Sequence, residues 1–254
     1  ASMISQFISA FLILRALLTG KEKYCLRLSE IRFDKRKAVG ILQIGIPSAF
    51  QYSLFAFANL FVQSSVNSFD HVLVEGNSAA ANADPLVYDM MAAFYTACSS
   101  FIAQNFGARK KKRILQTYLI CLFYSFITSL VLGVGIYLAR YPFLYLFTSD
   151  KAVVEAGITR LSIMALSYSA SAFMDASIAA SRGLGKTAVP TFVVVMGSCV
   201  FRIIWIYTIF AYFHTIQSLY ILYVFSWGIT AIAENIYFFH VYRHTLTGKT
   251  ESHL

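Results

Sequence analysis

Charge is what this sequence has least of. Only 13% of its 254 residues are Asp, Glu, Lys or Arg, where an ordinary soluble domain carries about 25%. Acids are the scarcer sign, 12 against 21 basic residues. Catalytic signatures are absent too: the chain holds neither His-Glu-x-x-His nor Gly-x-Ser-x-Gly, so metalloprotease and α/β-hydrolase chemistry find no residues to carry them. "ASRGLGKT" at 180–187 only loosely echoes a phosphate-binding loop. Ala180 stands where the first glycine belongs and the stretch follows an apolar helix, so turn chemistry is the better account. The four cysteines (Cys25, Cys98, Cys121 and Cys199) have no paired or metal-type spacing, so no disulfide framework is implied. No Asn-x-Ser/Thr acceptor occurs.

Apolar residues fill the space. They make up 58% of the chain, with a mean hydropathy of +0.63. Seven apolar segments stand out, near 1–18, 38–67, 78–107, 114–139, 152–181, 188–213 and 216–242. Most exceed the 18 or so residues needed to cross about 30 Å of hydrocarbon. The runs are continuous rather than alternating, so they predict spanning helices and not barrel strands. The first run has no basic start and no small-residue cleavage site, which separates it from a signal peptide. The expected fold class is an all-α polytopic membrane bundle.

Between the segments lie chemically plain breaks: the charged linker "TGKEKYCLRLSEIRFDKRK", the basic turn "GARKKKR", the turn "RYPFLYLFTSDK" and the Gly/Pro turn "SRGLGKTAVP". Lysine and arginine concentrate in alternate connections. The linker, the turn at 109–113, the pair Arg182 and Lys186, and the C-terminal Arg243 and Lys249 are basic, whereas the other side holds only Arg140, Lys151 and nearby Arg160. This asymmetry places the linker and the C-terminus in the cytoplasm. It also accounts for the net charge of +9 without a nucleic-acid partner, and membrane lipid is the expected surrounding. The five histidines (His71, His214, His240, His244 and His253) sit at segment ends, as interfacial side chains do.

The few ionisable groups at membrane depth are the functional candidates. At about 100° per residue, Asp89, Thr96 and Ser100 share one stripe of the third segment, and Asp84 points about 140° away. Asp84 also precedes Pro85, which suits a first helical turn, so Asp84 is expected to be architectural, a helix cap or an outer-surface residue, and Asp89 the functional acid. Tyr168, Ser171, Asp175 and Arg182 share a face of the fifth segment. Asn59, Gln63 and Asn67 recur at four-residue steps in the second, and either line a path or bond helix to helix. Arg202 lies deep in the sixth segment and Glu234 deep in the seventh. Arg202 is expected to neutralise Glu234 or Asp175. If all of Asp89, Asp175, Arg202 and Glu234 faced lipid, the cost would be about 12 kcal/mol, at about 3 kcal/mol each, comparable to a whole domain's stability. They are expected to converge on an interior. Three acids against one arginine make that interior negative, and with Tyr, Trp and Phe walls it suits a cation.

Five motifs in order carry a family resemblance. Gly45 and Pro47 open the second segment; Asn67, Ser68 and Phe69 close it. Gln104, Asn105, Gly107 and Ala108 close the third; Arg182, Gly183 and Gly185 follow the fifth; Pro190 opens the sixth. Together they resemble the second half of bacterial multidrug and toxic compound extrusion (MATE) transporters, whose twelve helices form two six-helix lobes. The resemblance implies the last helix of an N-terminal lobe over 1–19, a basic cytoplasmic linker over 20–37 and a six-helix C-terminal lobe over 38–254. The rest of the N-terminal lobe is expected to precede Ala1 as a partner. The resemblance further implies a bacterial plasma-membrane antiporter exporting small organic cations by alternating access. Its coupling ion would be a proton or a sodium ion, with no other cofactor. The family's inner acids fall at Asp84 or Asp89 and at Asp175. Asp70 departs from the glycine that relatives often carry after Asn-Ser-Phe, and the acid of some sodium-coupled members is not found in the second segment. Two alternatives stand beside this: a lipid-linked saccharide flippase of the same superfamily, and a non-transporting membrane interaction module.

Overall fold

The computed structural model describes residues 2–19, 26 and 32–245, all helices and their turns. The chain falls into two compact units, Ala1–Gln43 and Ile44–Leu254. The first contains α1 (Ser2–Thr19) and the opening turns of α2 (Lys35–Val66). Most of the expected linker, residues 20–25 and 27–31, lies outside the described residues, with Cys25, Lys249 and His253.

The second unit is a bundle. It continues α2 and adds α3 (His71–Ala81), α4 (Ala83–Gly107), α5 (Lys111–Leu138), the short α6 (Arg140–Tyr145), α7 (Lys151–Gly183) and α11 (Ile216–Thr245). Between α7 and α11 runs one span, Ala188–Phe213, made of α8 (Ala188–Val194), α9 (Phe201–Trp205) and α10 (Ala211–Phe213). Two π-helical turns, Val195–Val200 and Ile206–Phe210, join its parts. Among the described residues, six helices are long and apolar enough to cross a membrane. The apolar stretch of α1, Met3–Thr19, is shorter than these six.

Two expectations need correction. The third span starts at His71, not near 78, and runs through to Gly107 with a break at Asn82. Glu75 and Asn77 broke the apolar run and hid its first turns. Asp70 caps them, its carboxylate accepting the Leu73 amide at 2.8 Å, so the residue that departs from the resembled family is the one that starts this helix. The second correction is the pair of π turns, which no apolar count reveals. Each wider turn accommodates an extra residue and shifts the helical register around α9, which carries Arg202.

Around α7 the bundle is organised. Helices α3, α4, α5, α6 and α11 all pack on it, and its Ala-, Ser- and Gly-rich surface lets their backbones come close. At the α3–α7 crossing, a Cβ on Gly76 would lie 2.7 Å from both the Ala156 methyl and the Val153 carbonyl oxygen. At the α5–α7 crossing, a Cβ on Gly133 would collide with the Ala165 carbonyl oxygen. Buried apolar side chains fill the remaining space, with Met91, Met164, Tyr168, Met174 and Trp227 in one cluster between α4, α7 and α11.

Candidate functional site

Inside the second unit is a cavity of about 550 Å³. Every long helix of that unit except α5 supplies side chains to it. Helix α2 presents Gln51, Phe55, Asn59 and Gln63; α4 presents Asp84, Tyr88 and Tyr95; α7 presents Arg160, Met164 and Asp175. Asn77 of α3, Arg202 of α9, and Tyr220, Tyr223 and Trp227 of α11 complete the polar and aromatic wall. Tyr88 stands edge-on to Tyr168 at 5.6 Å and to Trp227 at 6.2 Å, and Trp227 is tilted against Tyr223 at 5.4 Å. Such a wall is rigid, apolar in area and able to hold a cation against a ring face.

Three arginines anchor the polar groups. Arg160 donates through Nη2 to Asp84 Oδ2 at 2.6 Å and through Nη1 to Asn77 Oδ1 at 2.8 Å. Tyr168 donates to the other Asp84 oxygen at 2.5 Å, and Tyr220 reaches Asn77 Oδ1 at 3.3 Å. This network ties α3, α4, α7 and α11. Arg182 donates to Gln51 Oε1 at 2.9 Å and to the Tyr95 hydroxyl, while Thr191 donates to the same Gln51 oxygen at 3.2 Å. Helix α2 is thereby held to α4, α7 and α8. Arg202 donates to Asn59 Oδ1 at 2.7 Å and to Ser226 Oγ at 3.3 Å.

Geometry reverses several expectations. Asp84 is not a cap: Asn82 occupies the cap position of α4, and Asp84 in the first turn points inward to Arg160 and the cavity. Asp89, expected to be the functional acid, is exposed and does not line this cavity, because the helix turns it about 140° from Asp84. Thr96 and Ser100 share that exposed stripe. Arg160, placed by its position near a turn, is instead 8% exposed in α7. Arg202 pairs with neither Glu234 nor Asp175: the ion pairs found among the described residues are Arg160–Asp84 and His71–Glu75.

Other candidates are brought together or set apart. Asn59, Gln63 and Asp175 line the cavity; Gln63 also donates to Asn67 at 2.9 Å. Tyr168 reaches the site through Asp84 and Arg182 through Gln51 and Tyr95, but neither lines it. Ser171 is buried and donates to the Tyr168 carbonyl oxygen at 2.8 Å. Glu234 is fully buried and does not line the cavity, and neither of its carboxylate oxygens has a hydrogen-bond partner among the described residues. The expected negative interior is not what forms. Asp84 and Asp175 line the cavity with Arg160 and Arg202, and Arg182 is bonded to two further wall residues. Asn77, Arg160 and Tyr220 escaped the sequence analysis because each belongs to a different segment, and only the crossing of α3, α7 and α11 joins them.

Six helices of membrane-spanning length around a cavity lined by charged and aromatic side chains form an arrangement that membrane transporters use. Residues 47–208 match the MatE family model, and the chain belongs to that family, a family of transporters and not of enzymes. It is 23% identical over 195 residues to the probable multidrug resistance protein NorM of Thermotoga maritima, a match covering 75% of this chain and 41% of the relative. It is 25% identical over 173 residues to the probable multidrug resistance protein YoeA of Bacillus subtilis, covering 66% and 37%. Among solved structures it superposes with a TM-score of 0.85 on an outward-facing multidrug resistance MATE family transporter, at 19% identity, covering 96% of this chain and 55% of that one. A MOP superfamily transporter from Pyrococcus furiosus superposes with a TM-score of 0.84 at 19% identity, covering 94% and 54%. The chain therefore spans about half the length of the proteins it matches, and its fold is that of half a MATE transporter.

Proposed function

We propose that this chain forms one lobe of an antiporter that exports organic cations in exchange for protons or sodium ions, by alternating access across a bacterial plasma membrane. The observation that carries the reading is Asp175. It stands in the cavity wall, partly exposed, and among the described residues no group donates a hydrogen bond to it. The other lining acid, Asp84, is committed to Arg160 and Tyr168. A carboxylate left free among Tyr88, Tyr95 and Trp227 is a place where a proton, a metal cation or an organic cation competes for one charge. Competition of that kind couples the two fluxes, since a ligand moves a two-state lobe only by binding its states unequally. The multidrug-resistance names of the relatives agree with this cargo, and the lysine and arginine distribution supports a cytoplasmic C-terminus.

The experiment is Asp175→Asn in the full natural chain carrying these residues. Dye efflux from cells should fall to background while the protein still inserts in the membrane at normal levels. Unchanged efflux would remove Asp175 from the mechanism. Deletion separates the flippase alternative, which requires an envelope defect and unaltered dye resistance.

A further inference from the structure

The cavity holds a cation that no acid answers. Arg202 is 0% exposed and sits on the short helical stretch between the two π turns. Its guanidinium is sandwiched between the rings of Phe55 at 4.6 Å and Tyr223 at 4.5 Å. Nη1 is spent on Asn59 and Nε on Ser226, but Nη2 is buried with no hydrogen-bond partner. No carboxylate among the described residues lies within ion-pair distance of it. Asp84 is taken by Arg160 at 2.6 Å.

Lone charges at membrane depth are expensive and mark ligand paths. The guanidinium presents a flat fork of donors that fits a carboxylate with two parallel bonds. Half of that fork is unspent here, and the other half rests on Asn59, an exposed amide of the cavity wall.

We propose that Arg202 recognises an acidic group on the cargo. A carboxylate displaces the Asn59 amide oxygen from Nη1 and takes Nη2 as well, with Phe55 and Tyr223 flanking it. With Asp175 answering a positive group in the same cavity, the preferred cargo is a zwitterionic aromatic amphiphile and not a simple organic cation. This rests on the transport reading of the cavity and narrows its substrate class.

The test is equilibrium binding, by fluorescence polarisation, to the purified full natural chain in detergent. The probes are a xanthene dye with a free carboxylate and the methyl ester of the same dye. The acid should bind about tenfold or more tightly than the ester, the gain expected of a charge-assisted pair. Arg202→Gln should bring the ratio to about one while ester binding persists, and Asn59→Ala should keep or enlarge the acid's advantage. An ester that binds the native protein as well as the acid overturns the inference and leaves the transport reading standing. So does an acid preference that survives Arg202→Gln. If neither dye binds the native protein, the transport reading and this inference fall together. Should Arg202→Gln not fold, the native acid-to-ester ratio decides alone.

Discussion

Asp84 and Arg160, 76 residues apart in the chain, meet in the bundle interior at 2.6 Å. Their side chains are 25% and 10% exposed, and each carries a second partner, Tyr168 for the acid and Asn77 for the base. The pair closes a four-helix junction at one wall of the cavity.

Breaking one side of it should cost more than removing both. Arg160→Met leaves Asp84 without its charge partner in a desolvated site and should destabilise the protein by about 3 kcal/mol, at the lower end for buried pairs because Asp84 touches the cavity. The double substitution Asp84→Asn with Arg160→Met should recover part of the loss. Thermal unfolding in detergent reads both. Equal melting of the wild type and Arg160→Met would show the pair to be idle.

The helix crossings depend on bare backbone. Gly133→Val must push α5 off the Ala165 carbonyl and should lower stability by about 1–3 kcal/mol or more. Gly135, with open space around its α-carbon, provides the control: Gly135→Ala should be neutral or slightly stabilising, since alanine is the better helix former. A Gly133→Val protein as stable as the wild type would contradict the crossing.

Glu234 makes an opposite forecast. Both its carboxylate oxygens are buried without partners, a penalty of about 1–3 kcal/mol for an unsatisfied polar group. Glu234→Met removes that cost at similar volume, and its melting temperature should rise. A lower melting temperature would mean that Glu234 is bonded to something in the membrane.

The two acids of α4 should behave differently from each other. Asp89→Asn leaves every cavity contact in place, so dye binding by the purified protein should be unchanged within about twofold, less than half of one tenfold step in free energy. Asp84→Asn removes the negative charge that faces Arg160 and weakens the acceptor of Tyr168, and should change binding severalfold. Loss of binding on Asp89→Asn alone would restore the role that helical arithmetic first assigned to that residue.

Thiol chemistry offers a check on the packing. Cys98, Cys121 and Cys199 are buried and free, so a bulky maleimide should leave them unmodified until denaturant is added. Labelling of any of the three in the folded protein would place it on an accessible surface.

By itself the sequence determined that this is a membrane protein of long helices. Low charge, continuous apolar runs and turn residues are local quantities, and hydrocarbon forces every backbone amide in a span to be satisfied within the helix. The rule that rare charges should avoid lipid was equally legible; of the four it singled out, Asp175 and Arg202 line the cavity, while Asp89 and Glu234 do not. Pairing was not legible. Whether Arg202 meets Glu234, Asp175 or no acid depends on how α9 is rotated, and two π turns set that rotation through backbone geometry that no hydrophobic pattern records. The exchange of roles between Asp84 and Asp89 has the same origin: helix periodicity separates their directions, but only the packing of α4 on α7 decides which direction is inside. Tertiary structure thus chose the cavity's charge balance, because side chains remote in the chain become neighbours only where their helices cross.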